Sequence, residues 1–205
     1  KRTRFAKNPE VYAPGLVRGD PGASLLRYEL ARIEQVHAEL GRFKFADQEP
    51  YTSIDDIESI IVRDTPASPI EPMRSGVGGR IIKFYGNWIG IACQDGSNPD
   101  TFGETVTADV TALLAVMERI NLGKYVAESK FCDAPDKFRE AGGEREATLD
   151  LIVRRDREGQ VFELARTLAR HYDFDEDQAV AVFEFMVEVT KDVEVDYIRQ
   201  RLGLQ

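Results

Sequence analysis

The sequence predicts an all-α fold, a single-domain bundle of long helices over residues 1–205. Apolar residues recur every three to four positions in several long segments, which is the period of an amphipathic helix. No segment shows the alternation typical of a β-strand, and glycine and proline are concentrated between the periodic segments. At 205 residues, 42% of them hydrophobic, the chain is long enough for one sizeable core, and the alternative is two small domains.

The first half predicts one strong helix and several less regular segments. The helix covers 24–42, with an apolar stripe of Leu25, Tyr28, Ile33, Val36 and Leu40. A shorter helix is predicted over 53–62, and the three prolines and three glycines of 64–79 predict a loop. The aromatic and β-branched residues of 80–96 suit either a strand or a helix.

The second half predicts three long helices. Thr101 and Glu104 match a T-x-x-E capping box, which predicts a helix beginning there and ending near Cys132. After the AGG of 141–143, a helix is predicted over 145–172, and a last one over 175–202.

Composition and charge disfavour nucleic-acid binding, a membrane span and a transition-metal site. The formal net charge is −9 and the pI about 4.9, which disfavours a nucleic-acid partner. No apolar run approaches the ~18–20 residues of a membrane span. Two cysteines, Cys93 and Cys132, indicate a reducing compartment, and two histidines, His37 and His171, disfavour a transition-metal site.

Two cations lie on one face of the helix expected around residue 125. Arg119 and Lys130 are eleven residues apart, which at ~100° per residue leaves them about 20° from alignment. Gly123 and Val126 lie on the same line between them. The alternative is that both cations are solvated on an exposed face.

Polar residues also interrupt the apolar stripes of the last two predicted helices. Glu158 lies close to the inward line of the first, with Arg154 and Arg157 on its flanks. Thr190 lies on the inward line of the second, and Glu194 borders it. The alternatives are an Arg154–Glu158 surface ion pair and a misplaced stripe in the last helix. If the three helices instead converge, these side chains predict a small pocket for a dianion.

The stretches FGETVTADV, ERINLGKYVAESKF and VTKDVEVDYIRQRL resemble chorismate mutases of the all-helical fungal and plant type. Weaker matches, in the same order, are FAKNPEVYAPG, SLLRYELARIEQVHAELGRF, DQEPY and RRDRE, so the resemblance covers nearly the whole chain. It implies the chorismate mutase helical fold and rearrangement of chorismate to prephenate without a cofactor. It also implies a cytoplasmic location, with a plastid as the alternative.

The resemblance implies a role for each candidate residue. Arg119 would bind a substrate carboxylate, Lys130 and Glu194 would meet the ether oxygen, and Glu158 would hold the ring hydroxyl. Thr190 would lie near a carboxylate, and either Arg154, which replaces an asparagine of the fungal pattern, or Arg157 could assist with the ring carboxylate. The family takes a second arginine from its first helix, which we expect to be truncated or to precede Lys1.

The resemblance further implies a homodimer that tyrosine or tryptophan regulates at the subunit interface. The candidate effector residues are Arg42, Gly103, Glu104 and Thr107. Glu104 replaces the serine of the family pattern and Gly41 replaces the first arginine of a pair. The alternative function is a mutase-like protein with weak or no catalysis that binds an effector or another protein.

Overall fold

The computed structural model describes residues 6–62, 64 and 67–204 and confirms the all-α fold. Its α-helices are α1 Leu25–Glu39, α2 Gly78–Ala92, α3 Phe102–Asn121, α4 Gly123–Asp133, α5 Pro135–Ala141, α6 Arg145–Ile152, α7 Arg155–His171 and α8 Glu176–Arg201. Two-residue strands, β1 Ala6–Lys7 and β2 Gln94–Asp95, pair in parallel. No helix among these residues is long and apolar enough to cross a membrane.

The chain divides into two compact units. The first comprises residues 1–44, 50–64 and 78–117, and the second comprises 45–49, 65–77 and 118–205. The single domain over 1–205 therefore stays a prediction.

In the first unit, α1 forms where it was predicted but buries a different face. Ser24 caps it by accepting a hydrogen bond from the Arg27 amide at 3.2 Å. The buried residues are Leu26, Leu30, Glu34 and Ala38, whereas Tyr28, Val36 and Leu40 of the predicted stripe are 45%, 48% and 50% exposed. Both faces are apolar, and burial of the Glu34 side chain is compensated by hydrogen bonds from the Tyr51 and Thr52 amides and the Thr52 hydroxyl.

The helix predicted over 53–62 is wrong, because that segment forms turns. Ser53 bonds to Asp55, and Ser59 bonds to the Glu39 carbonyl, so short polar side chains compete with helical hydrogen bonds. The ambiguous segment 80–96 lies mostly in α2.

The capping box predicted at Thr101 is also wrong. The Thr101 hydroxyl donates to the Asn98 carbonyl and accepts from the Asn8 side chain, so it caps no amide of α3. Asn98 is instead the cap of the 3₁₀ turn Pro99–Thr101, which leads directly into α3.

Two helices that were predicted as continuous are interrupted. The helix expected to end near Cys132 breaks at Leu122 into α3 and α4, although the Leu122 amide still bonds to the Glu118 carbonyl. The helix expected over 145–172 breaks at Val153–Arg154 into α6 and α7. This second break frees the Ile152 carbonyl from an intrahelical partner.

The core of the second unit forms around α8, against which α4, α6 and α7 pack. Its buried cluster contains Ile70, Ala127, Phe131, Phe138, Ile152, Val195, Tyr197 and Ile198. Because α8 is central, residues in its middle turns, such as Thr190, Lys191 and Glu194, can face α4 and α7.

Candidate functional site

A cavity of about 460 Å³ lies in the second unit, lined by the end of α3, α4, α7, α8 and the α6–α7 link. Every catalytic and substrate-binding candidate borders it: Arg119, Lys130, Arg154, Arg157, Glu158, Thr190 and Glu194. Apolar side chains, among them Val126, Val161, Phe183, Met186 and Val187, form much of the remaining wall. The structure therefore places residues from three predicted helices around one pocket.

Lys130 is held in the pocket by the break between α6 and α7. Its ammonium donates to the Ile152 carbonyl, which the break leaves free. Partial burial lowers the pKa of Lys130, nearby Glu194 opposes that shift, and Arg154 and Arg157 add to it. The side chain is thus oriented by a backbone group and points into a cation-rich space.

Glu194 is the most deeply buried ionisable group of the pocket, with 7% of the residue exposed. Burial raises its pKa to about 7, against the attraction of Lys130, Arg119 and Lys191, and Glu158 adds to the increase. Near neutral pH this carboxyl therefore exists in both forms, and its protonated form can donate a hydrogen bond.

Glu158 makes its ion pair with Lys191, at 3.0 Å, rather than with Arg154. Arg154 pairs with Asp156 at 3.5 Å, and both of these side chains are more than half exposed. The alternative of an Arg154–Glu158 surface pair is therefore wrong.

Sequence reasoning missed Lys191, which lines the pocket between Thr190 and Glu194 on α8. Its ammonium also bonds to Glu188 at 2.8 Å. Its spacing of three residues from Glu194 was the available signal, since residues at i and i+3 share a helix face. The spacing alone does not distinguish it from an ordinary surface lysine.

Gly123 allows α4 to approach α8 closely at the floor of the pocket. A Cβ atom there would lie 2.7 Å from Thr190 Cγ2 and 3.3 Å from Glu194 Cγ. The Thr190 hydroxyl donates to the Met186 carbonyl at 2.7 Å, so its oxygen keeps acceptor capacity while its methyl group faces Gly123.

The charge around the cavity suits a small dianion. Five cations, Arg119, Lys130, Arg154, Arg157 and Lys191, border it together with two carboxyls. Planar guanidinium groups bind carboxylates through two parallel hydrogen bonds. No cluster of three His, Cys, Asp or Glu side chains suited to a metal ion occurs in the part of the chain that the structure describes.

The candidate effector residues lie in the first unit. Thr107 donates to Glu29 of α1 at 2.8 Å, and Gly103 and Glu104 are exposed nearby on α3. Arg42 follows the C-terminus of α1, and its guanidinium lies 3.5 Å from His37 Nδ1.

The fold and the pocket define a class of protein: an all-helical protein that binds a small dianion. The five cations can bind the dianion, and the protonated Glu194 carboxyl can donate a hydrogen bond to it. Residues 103–195 match the family described as chorismate mutase type II. The chorismate mutase of Schizosaccharomyces pombe is 28% identical over 98% of this chain and 88% of its own length. A cytosolic chorismate mutase of Zea mays is 26% identical over 98% and 88%. The chain is therefore similar to chorismate mutases of the fungal and plant type over almost its whole length.

Solved structures show the same fold. The chorismate mutase of Candida albicans, in complex with L-Trp, aligns with a TM-score of 0.85 at 23% identity, over 100% of this chain and 84% of that one. The chorismate mutase AtCM1, with phenylalanine in its allosteric site, aligns with a TM-score of 0.84 at 22% identity, over 98% and 87%.

Proposed function

We propose that this chain converts chorismate to prephenate, a step towards phenylalanine and tyrosine. The reaction breaks the ether C–O bond and forms a C–C bond within one molecule, so no atom enters or leaves. The observation that carries the proposal is that Lys130 and Glu194, two donors suited to one ether oxygen, border the same cavity. A cavity of about 460 Å³ is also large enough for one small dianion.

Catalysis in this proposal comes from positioning and from charge stabilisation. Arg119, with Arg157 or Arg154, grips the two carboxylates and holds the substrate in a compact reactive geometry. Lys130 and protonated Glu194 donate to the ether oxygen, where negative charge grows in the transition state. Electrostatic stabilisation of this kind is worth more in a cavity with apolar walls than in water.

Glu158 and Lys191 act together in this proposal. The 3.0 Å ion pair with Lys191 orients the Glu158 carboxyl, whose oxygens can accept a hydrogen bond from the ring hydroxyl. Thr190 in this proposal lies beside a carboxylate of the substrate. Its hydroxyl can donate a hydrogen bond to that carboxylate when it turns away from the Met186 carbonyl.

The direct test is loss of chorismate absorbance on adding the purified protein, with prephenate identified as product. Lys130→Met should lower kcat at least a hundredfold, because a transition-state donor is removed. Lys137→Met on α5 is the matched control, since Lys137 is exposed and outside the pocket lining. If the wild-type protein gives no decay above background, the alternative of a mutase-like binding protein replaces the enzyme.

We propose further that the protein is a homodimer and that tyrosine or tryptophan regulates it. Relatives of the same fold carry L-Trp or phenylalanine, the latter in an allosteric site, which supports an aromatic amino acid as effector. In this proposal Arg42, Gly103 and Thr107 hold the effector at the interface between the two copies. Rate assays with and without each amino acid test this, and unchanged rates would contradict regulation.

A cytoplasmic location is the last part of the proposal. A cytosolic relative supports it, and a chloroplastic relative supports the plastid alternative. Fractionation of the source cells, with a mutase assay on each fraction, distinguishes the two.

A further inference from the structure

Residues 67–77 form a strap that is bound to α8 near its C-terminal end. The Glu71 amide donates to the Tyr197 hydroxyl at 2.9 Å, and the Gln200 amide group donates to the Pro72 carbonyl at 2.9 Å. Tyr197 is fully buried, so this attachment lies in the core of the second unit.

The same strap is bound to α4 by a buried lysine. Lys124 is 0% exposed and donates to the Met73 carbonyl at 2.6 Å and the Ala46 carbonyl at 3.3 Å. Its third bond is an ion pair with Glu49 at 2.5 Å, and Glu49 also accepts from the amide and hydroxyl of Ser75. All three ammonium protons are used, so this buried charge is fully satisfied.

The residue directly before Lys124 touches the pocket. The Cβ position of Gly123 is 2.7 Å from Thr190 Cγ2 and 3.3 Å from Glu194 Cγ, which leaves no free space between α4 and α8 there. The position of the first turn of α4 therefore sets how much room surrounds the Glu194 carboxyl.

We propose that Lys124 is a positioning residue of the pocket. Lys124 binds the first turn of α4 to the strap, and α8 binds the same strap. These contacts fix the distance between α4 and α8 and therefore how deeply the Glu194 carboxyl is buried. The effect of Lys124 on catalysis rests on the proposed function. Its effect on the burial of Glu194 does not, because that burial is a property of the folded protein itself.

The environment of Glu194 makes its titration a measure of that depth. Charged groups face it from four helices: Arg119 on α3, Lys130 on α4, Glu158 on α7 and Lys191 on α8. Burial is the largest influence on it, so water entering between α4 and α8 brings the pKa of Glu194 back towards its ordinary value.

The test compares Lys124→Met, the double variant Lys124→Met/Glu49→Gln, and Glu71→Gln as a matched control. Glu71→Gln removes the ion pair with Arg201 but keeps the backbone bond to Tyr197, so the strap stays attached. We expect both Lys124 variants to lower kcat about tenfold or more, with KM changed less than threefold. The Glu194 carboxyl, followed by ¹³C NMR, should titrate about one pH unit lower in both, while Glu71→Gln should match the wild type.

The double variant separates positioning from stability. It removes the unpaired buried carboxylate, so thermal stability should recover relative to Lys124→Met while the bond to the Met73 carbonyl stays absent. Wild-type kcat and wild-type Glu194 titration in the double variant would overturn the proposal, as would an equal shift in Glu71→Gln. If Lys124→Met does not fold, the double variant alone decides. The NMR titration does not need activity, so an inactive wild type would refute the proposed function without affecting this test.

Discussion

Nearby cations attract the ionised form of a carboxyl and lower its pKa, whereas burial removes water from the ionised form and raises the pKa. A carboxyl beside several cations therefore stays protonated up to neutral pH only when the effect of burial is the larger. Glu194 meets this condition, because burial raises its pKa to about 7 although Lys130, Arg119 and Lys191 all favour the ionised form. Since only the protonated acid can donate to the ether oxygen, the balance between hydration and charge at this one residue governs the pH range of the proposed reaction.

The pH dependence of catalysis follows from that balance. We expect kcat to fall as the pH rises through about 7, where Glu194 ionises. In Glu194→Gln the amide donates at every pH, so the alkaline limb should flatten. Stopped-flow or absorbance rates between pH 5 and 9 measure this. An unchanged profile in the variant would remove the proposed role of Glu194.

The same residue makes stability depend on pH. The folded pKa is raised above the ordinary value of 4.5, so the folded state binds the proton more tightly than the unfolded chain. This contribution to stability is complete below about pH 4.5 and is lost as the pH rises to about 7. Relative to the wild type, Glu194→Gln should therefore gain up to about 3 kcal/mol between pH 4.5 and 8. Urea unfolding at both pH values measures the difference, and a constant difference would contradict it.

At the scale of the element, the contact between α4 and α8 decides the shape of the pocket floor. Gly123→Ala should destabilise the fold by roughly 1–3 kcal/mol, because its Cβ would lie 2.7 Å from Thr190 Cγ2 and force α8 to move. Gly159→Ala on α7 is the control, since that position is exposed and a Cβ there meets nothing within 4 Å.

The control should gain roughly 0.5–1 kcal/mol from helix propensity alone. Chemical unfolding of both variants makes the comparison, and equal effects would show that the α4–α8 contact is not tight. The mutase rate should fall only in Gly123→Ala, since only that change reaches Glu194.

How far the sequence predicts an element depends on how local its determinants are. Helical periodicity predicts Arg119 and Lys130 on one face, and both border the pocket. The break at Leu122 keeps the helical register nearly continuous, because the Leu122 amide still bonds to the Glu118 carbonyl. The break at Val153–Arg154 was not predictable, since the Ile152 carbonyl is matched by Lys130 from another helix. The buried face of α1 was missed for the same reason, because Glu34 finds its partners in residues 51–52.

At the scale of the whole molecule, the exposed apolar residues of α1 suggest the surface that a second copy would cover. Val36 on α1 and Leu40 directly after it are 48% and 50% exposed, whereas the opposite face of α1 is buried. If the proposed homodimer forms through this surface, we expect Val36→Asp to give a monomer of about half the mass, because a charge buried at an interface is costly.

The control for that prediction is Val62→Asp, since Val62 is fully exposed in a turn segment. Light scattering on both variants and the wild type, whose chain mass is 23.1 kDa, measures the assembly. A dimeric Val36→Asp would place the interface on another surface, and a monomeric wild type would contradict the homodimer.

The sequence by itself determined the all-α fold, the approximate course of the long helices and the faces that carry Arg119, Lys130, Glu158, Thr190 and Glu194. These depend on helical periodicity, which acts over one or two turns. The tertiary structure alone decided the Glu158–Lys191 pair, the contact of Lys130 with the Ile152 carbonyl at the α6–α7 break and the buried hydrogen bonds of Lys124. Each of these joins groups tens of residues apart in the chain, so it exists only once helices from distant segments have packed around α8.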